Sequence, residues 1–244
     1  MKVLITAGST QAPIDEVRAI TNIFKGRTGT QIAEDLTLLR FLQGNKYKVH
    51  PDYDHGFEVT LLTSNEEIYK VAMQEFSYLV RVESYRTFSE LMVAMEHEIT
   101  TQHYDLVIHS SAVSDYETKA VYRVVSGAPQ TGLVLEEVDH GGKIPSGQRI
   151  FLELDPTEKI VDKIKKEWGF SGTLVMFKLQ RGITDEELIE RAKISMIRAG
   201  ADFIVANCLE WYRERAYIIS STGNLKMIQR HNLTWEILEA VKKV

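Results

Sequence analysis

Short apolar runs alternate with amphipathic stretches along nearly the whole chain, and this alternation constrains the fold more than any other feature. Residues 3–7, 57–63, 78–82, 105–109, 149–154, 173–179 and 202–206 read as strands. Several are too continuously apolar to keep one face wet. Helical signals fall between them. Ile32, Leu36 and Leu39 recur at helical spacing within residues 28–43. Ser64 with Glu67 and Thr87 with Glu90 form capping-box patterns, the second opening a helix that carries Leu91, Met92 and Met95. Asp155-Pro156 reads as a cap and first-turn proline, Thr184 with Glu187 as another start, and Gly200 as a helix stop. Trp235, Leu238 and Val241 mark a final helix.

Strands alternating with helices predict an α/β fold, a Rossmann-like three-layer sandwich with a mostly parallel sheet covered on both faces. No linker or repeat interrupts residues 1–244, which read as one domain. Three segments depart from the rhythm. Residues 45–56 read as a surface loop insertion. Residues 121–138 hold short β-like runs and lead into a charged, glycine-rich stretch at 139–147, a flap or hairpin excursion over about 121–147. Residues 216–221 and 225–229 flank Thr222-Gly223-Asn224, a hairpin signal.

Lys and Arg number 29 and Asp and Glu 34, a formal net charge of −5. That balance gives no general electrostatic reason to bind nucleic acid or an anionic membrane. A phosphorylated small molecule needs only a local positive site. Cys208 is the single cysteine, which excludes an intramolecular disulfide and a multi-thiolate metal site. A reducing cytoplasm is the expected setting. The N-terminal MKVLITAG is too short for a signal peptide, and no apolar stretch approaches a membrane span.

In parallel sheets ligands bind beyond the carboxyl ends of the strands, so the loops there are the candidates. About twenty residues separate Gly8 from the next helix, where an ordinary dinucleotide turn uses G-x-G-x-x-G. Gly26 and Gly29 near that helix would let backbone N–H groups approach a phosphate, with Asn22 just before them; equally, the glycines shape a turn and Asn22 is a cap. HSSAVSDY, residues 109–116, offers small residues and the acceptor Asp115 to a ligand; the alternatives are a helix cap for Asp115 and a core position for His109. Lys143 in GGKIPSG, residues 141–147, could neutralise phosphate or be merely solvated. Phe177 and Lys178 face opposite sides of a strand, read as core packing and an edge charge. Cys208 reads as a small buried residue.

The order of these signals resembles phosphopantothenoylcysteine synthetase in its stand-alone form. The blocks that carry the resemblance are VLITAGST-x-x-PID-x-VR-x-ITN (3–22), G-x-x-G (26–29), VTLLTS (59–64), HSSAVSDY (109–116), KIPSG (143–147), and FKL with ADFIVAN (177–179, 201–207). The resemblance implies a ligase of coenzyme A biosynthesis. The 4′-phosphopantothenate carboxylate attacks the α-phosphate of CTP or ATP, pyrophosphate leaves, and the L-cysteine amine displaces the nucleoside monophosphate. It implies that Asn22 contacts the acyl group and Lys143 assists nucleotidyl transfer. It places Gly8, Ser9, Thr10, Ser111, Ala112, Asp115 and Phe177 near the nucleotide and Gly26 and Gly29 near phosphate. Mg²⁺ accompanies the nucleotide, with ligands that neither spacing nor resemblance assigns. It also implies a homodimer whose partner chain helps complete each site. Ser9 stands where a second glycine is usual and Cys208 where Asp is common, which keeps a non-catalytic nucleotide-binding paralogue as an alternative. A nicotinamide-dependent oxidoreductase is the other alternative, against which stand the missing G-x-G-x-x-G and Tyr-x-x-x-Lys patterns.

Overall fold

The computed structural model describes residues 1–37, 41–43, 46–48, 56–65, 67 and 80–242. In chain order the elements are β1 (Lys2–Ala7), β2 (Gln11–Pro13), β3 (Ala19–Thr21), α1 (Arg27–Thr37), β4 (Phe41–Gln43), β5 (Lys46–Lys48), β6 (Glu58–Thr63), β7 (Val80–Ser84), α2 (Phe88–Thr101) and β8 (Leu106–His109). Then come β9 (Tyr116–Ala128), β10 (Gly132–Glu137), β11 (Ile150–Pro156), α3 (Ile160–Lys166), β12 (Thr173–Gln180), α4 (Asp185–Ala199), β13 (Phe203–Cys208), β14 (Arg215–Ser220), β15 (Leu225–Gln229) and α5 (Leu233–Val241).

An eight-stranded sheet in the order β15-β14-β13-β12-β8-β1-β6-β7 forms the middle layer. The pairs from β13 across to β7 are parallel, and β14 and β15 add antiparallel strands at one edge. The interior strands carry apolar residues on both faces because helices cover both. One core packs Leu4, Val107 and Leu174 against Leu91, Ile164 and Leu188 of α2, α3 and α4. The other packs Val3, Ile5 and Val205 against Ile32, Leu36 and Ile237 of α1 and α5. The expected α/β sandwich is therefore the observed one. No helix among the described residues is long and apolar enough to cross a membrane.

Two caps appear where the sequence puts them. Thr87 accepts from the Glu90 N–H while Glu90 returns to the cap, and Thr184 accepts from the Glu187 N–H. Gly200 ends α4 at φ 69°. Other boundaries differ. Pro156 does not open a helix: β11 runs through Asp155 and Pro156, paired with Glu117 and Tyr116 of β9, and α3 starts at Ile160. Pairing with β9 outcompetes the local cap signal there. The helix read over 28–43 ends at Thr37, and Phe41–Gln43 pairs with Lys46–Lys48, so part of the expected 45–56 loop is strand. Leu39 and residues 49–55 lie outside the described residues, as do Tyr78 and Leu79; β7 begins at Val80. Ser64 does not pair with Glu67. Its hydroxyl accepts from the Ser9 N–H at 2.8 Å, and Asn65 accepts from the Glu67 N–H at 3.1 Å.

The expected excursion is larger than read. β10, β9 and β11 form a separate three-stranded antiparallel sheet. Val125, Val134, Leu135 and Phe151 are among its exposed apolar residues.

Candidate functional site

The site is assembled where β1, β6 and β8 end. Gly8 leaves β1 at φ 101°, and a Cβ there would lie 2.1 Å from the Ser64 hydroxyl oxygen. Gly26 has φ 76°, and a Cβ on it would meet the Gly8 nitrogen at 2.2 Å. A Cβ on Gly29 would come within 2.8 Å of the Thr6 carbonyl oxygen and 2.5 Å of the Ser110 hydroxyl. These glycines let three backbone segments nest against one another, which no side chain would permit. Ser9 fits this turn because its side chain points to the Thr21 hydroxyl, 3.1 Å away, while its N–H binds Ser64.

The HSSAVSDY segment crosses the same point. The Ala112 N–H donates to the Gly8 carbonyl at 2.8 Å, and the Thr10 N–H donates back to the Ala112 carbonyl at 3.3 Å. The Asn22 amide donates to that carbonyl at 3.0 Å. Asn22 is exposed and five residues before α1, so it is not the cap of α1. The structure thus brings Gly8, Ser9, Thr10, Asn22, Ser111 and Ala112 together, with Gly26 and Gly29 behind them.

Below this surface lies a buried polar floor. The Ser111 N–H donates to the Thr6 hydroxyl at 3.2 Å, and the same hydroxyl shares a hydrogen bond with His109 Nδ1 at 3.0 Å. Burial lowers the pKa of the ring to about 4, so it is neutral near pH 7. His109 is therefore a core residue. Tyr85 donates to the Ala7 carbonyl at 2.7 Å and bonds the Ser111 hydroxyl at 2.7 Å. Burial pushes its phenol up to about 12, so it remains protonated.

Asp115 caps no helix. It lies before β9 and forms an ion pair with Lys159. Phe177 is half-buried and packs against the α1 side of the core. Lys178 is not an edge charge. Its strand β12 sits between β8 and β13, where burial, then the cations Arg198 and Lys159, push its pKa down. Cys208 is buried at the end of β13, and burial raises its thiol pKa.

Lys143 is exposed, but its neighbour Ile144 is 1% exposed. Asp15 holds Ile144 in place. Its carboxylate accepts from the N–H groups of Ile144 at 3.1 Å, Val17 at 3.0 Å and Arg18 at 2.8 Å. The Arg18 guanidinium binds Asp15 and donates to the Ile144 carbonyl at 2.8 Å. The Arg18 bond, followed by these N–H groups, holds the Asp15 carboxyl far below the usual carboxylate range. Sequence reasoning assigned no role to Asp15, Arg18, Thr6 or Tyr85. For Asp15 and Arg18 the available signal was an acid and an arginine three residues apart, bracketing a turn.

A cofactor or metal finds few protein ligands here. Among the described residues no cluster of three or more His, Cys, Asp or Glu side chains could hold a metal ion. Asp115 follows Ser114, whose N–H donates to the Thr10 hydroxyl beside the nested turns. The arrangement supplies backbone donors and carbonyls, neutral amides and hydroxyls, and a lysine on a tethered strap. These are the elements for binding and activating an anionic substrate.

Residues 1–125 match the family model described as DNA/pantothenate metabolism flavoprotein C-terminal domain. The coenzyme A biosynthesis bifunctional protein CoaBC of Thermococcus kodakarensis is 34% identical over 209 residues, covering 86% of this chain and 41% of that protein. The chain spans about half the length of the curated relatives it matches. The crystal structure of the DNA/pantothenate metabolism flavoprotein from Streptococcus pneumoniae superposes with a TM-score of 0.75 at 25% identity, covering 100% of this chain and 99% of that one. A Cab2 mutant complexed with phosphopantothenate-cysteine superposes at 0.67 with 16% identity, over 99% of this chain and 85% of that one.

Proposed function

The chain belongs to the DNA/pantothenate metabolism flavoprotein C-terminal domain family, and from that premise we propose that it joins 4′-phosphopantothenate to L-cysteine at the nested glycine turns. The observation that carries the reading is the convergence of Gly8, Ala112 and Asn22 on one backbone knot, with the strap that bears Lys143 tied through Ile144 to Asp15, in the chain segment between Gly8 and Asn22. The Cab2 complex with phosphopantothenate-cysteine, on the same fold, supports it.

On this reading the substrate carboxylate and the nucleotide α-phosphate meet beside Asn22. The neutral amide donates to the acyl oxygen without strongly favouring the free carboxylate. Lys143 offsets charge as the carboxylate attacks phosphorus and pyrophosphate leaves, and the cysteine amine then attacks the acyl carbon and displaces the nucleoside monophosphate. Gly8, Ser9, Thr10 and Ser111 bound the phosphates and Asp115 and Phe177 the nucleoside. Mg²⁺, if carried in by the triphosphate itself, would screen its charge, since the described residues offer no cluster of three or more His, Cys, Asp or Glu to hold the ion. We favour CTP over ATP. Residues 1–244 act as one domain, in a reducing cytoplasm that suits a free buried thiol. The exposed apolar residues of the β9–β10–β11 sheet pair two copies, and sedimentation at micromolar concentration should give a dimer.

The test is pyrophosphate release from CTP and from ATP, with phosphopantothenate, with and without cysteine. Release that requires phosphopantothenate supports the ligase. Nucleotide binding without release would establish a non-catalytic relative instead.

A further inference from the structure

Arg27 and Thr28 sit between the two glycines of the G-x-x-G turn, and they serve a different face. Gly26 and Gly29 pack inward on β1 and β8. Arg27 and Thr28 line a cleft of about 490 Å³, shared with Tyr212 and Arg213 after β13 and with Arg230 and His231 before α5. That volume suits a small-molecule ligand.

The charges in this cleft are unbalanced. Of the three arginines, Arg230 is the most enclosed. Its Nη2 donates to the Thr28 hydroxyl, but its Nη1 is buried with no hydrogen-bond partner. Among the described residues no carboxylate pairs with Arg27, Arg213 or Arg230. Arg213 contacts the Tyr212 ring and hydroxyl. One acid lines the cleft, Asp35, and both its oxygens are occupied, one by the Gln31 amide at 3.0 Å and the other by the Thr234 hydroxyl at 2.6 Å. Three guanidinium groups without a carboxylate, in a chain of net charge −5, are placed against the protein's average. A buried guanidinium donor left unbonded is costly, and a bidentate anion is the chemistry that satisfies it.

We propose that this cleft is a second anion site, which takes a diphosphate group, free or esterified, against Arg230 with Arg27 and Arg213 at its rim. A diphosphate has the charge to offset two or three arginines and oxygens enough to reach separated ones. Tyr212, whose ring stands edge-on to Phe24 at 6.2 Å, offers an aromatic wall to an esterified group. The inference goes beyond the ligase reading and does not need it, because the cleft is lined by Arg27 and Thr28, whereas Gly26 and Gly29 pack on Gly8, Ala7 and Ser110.

Calorimetric titration of the full chain with inorganic pyrophosphate, and separately with a nucleoside diphosphate, tests it. Arg230→Gln should weaken binding of at least one probe by about tenfold or more. The probe that shows the dependence distinguishes a free from an esterified source. Should Arg230→Gln fail to fold by circular dichroism, the exposed Arg27→Gln and Arg213→Gln replace it and should each weaken binding. Failure of both probes to bind overturns the proposal. So does binding that these arginine variants leave unchanged. No outcome depends on turnover, so the ligase reading could fail without affecting it.

Discussion

Around Gly8 and Gly26 the backbone segments touch so closely that one methyl group would meet a main-chain nitrogen at 2.2 Å, whereas the strap that carries Lys143 is fastened to the body of the protein by the neighbouring Ile144. The first region is a rigid knot of main chain, and its donors are backbone groups that substitution cannot change directly. The second presents one side chain on a tether. Damage to the knot should therefore cost folding and function together, and damage to the strap should cost function alone.

The sharpest way to break this contrast is Gly26→Ala. It forces an alanine to φ 76° and drives its Cβ into Gly8. We expect about 1–3 kcal/mol from the backbone conformation and about 1–3 kcal/mol more from overpacking, read as a lower Tm, together with loss of pyrophosphate release. An unchanged Tm would show that the knot relaxes. Lys143→Gln should do the reverse, lowering pyrophosphate release by about 10²–10³ at constant Tm.

Asp15→Asn probes the tether between the two. It removes the charge from the bond to Arg18 and weakens the hold on Ile144, so release should fall about tenfold and limited proteolysis within residues 139–147 should speed up. Equal proteolysis in both proteins would mean that other contacts hold the strap. The smallest effect belongs to His109. Its folded pKa of about 4 lies below the ordinary value of 6.5, so the unfolded chain binds the proton first as pH falls. Stability is fully present above the unfolded pKa and declines as pH drops from 6.5 toward 4. Between pH 7 and 6 the loss should be about 0.7 kcal/mol, measured by denaturant titration, and His109→Gln should remove that component.

The sequence displays the knot better than the strap's fastening, for a physical reason. Gly8, Gly26 and Gly29 mark a turn or a close approach from their own residue type, and the continuous apolar runs of β1, β8 and β13 announce burial on both faces. Thr87 and Thr184 cap within three residues, so their signals are local. Asp15 bonds Ile144 across 129 positions, and nothing local to either residue reveals it. The same limit explains Asp155-Pro156. Its local pattern favours a helix start, but β9, some forty positions earlier, supplies a strand to pair with. Arg230 and Thr28, 202 positions apart, were invisible for the same cause.

That span has a consequence for how such proteins can diversify. Closing a flexible loop costs entropy only logarithmically in its length, about 0.6 kcal/mol for each doubling. The bonds between Asp15 and Ile144 enclose the antiparallel sheet of β9 and β10, so strands there could lengthen or shorten at little cost to the bonds themselves. That antiparallel sheet is thus free to drift in size, while the lysine stays in register with the first loop of the chain.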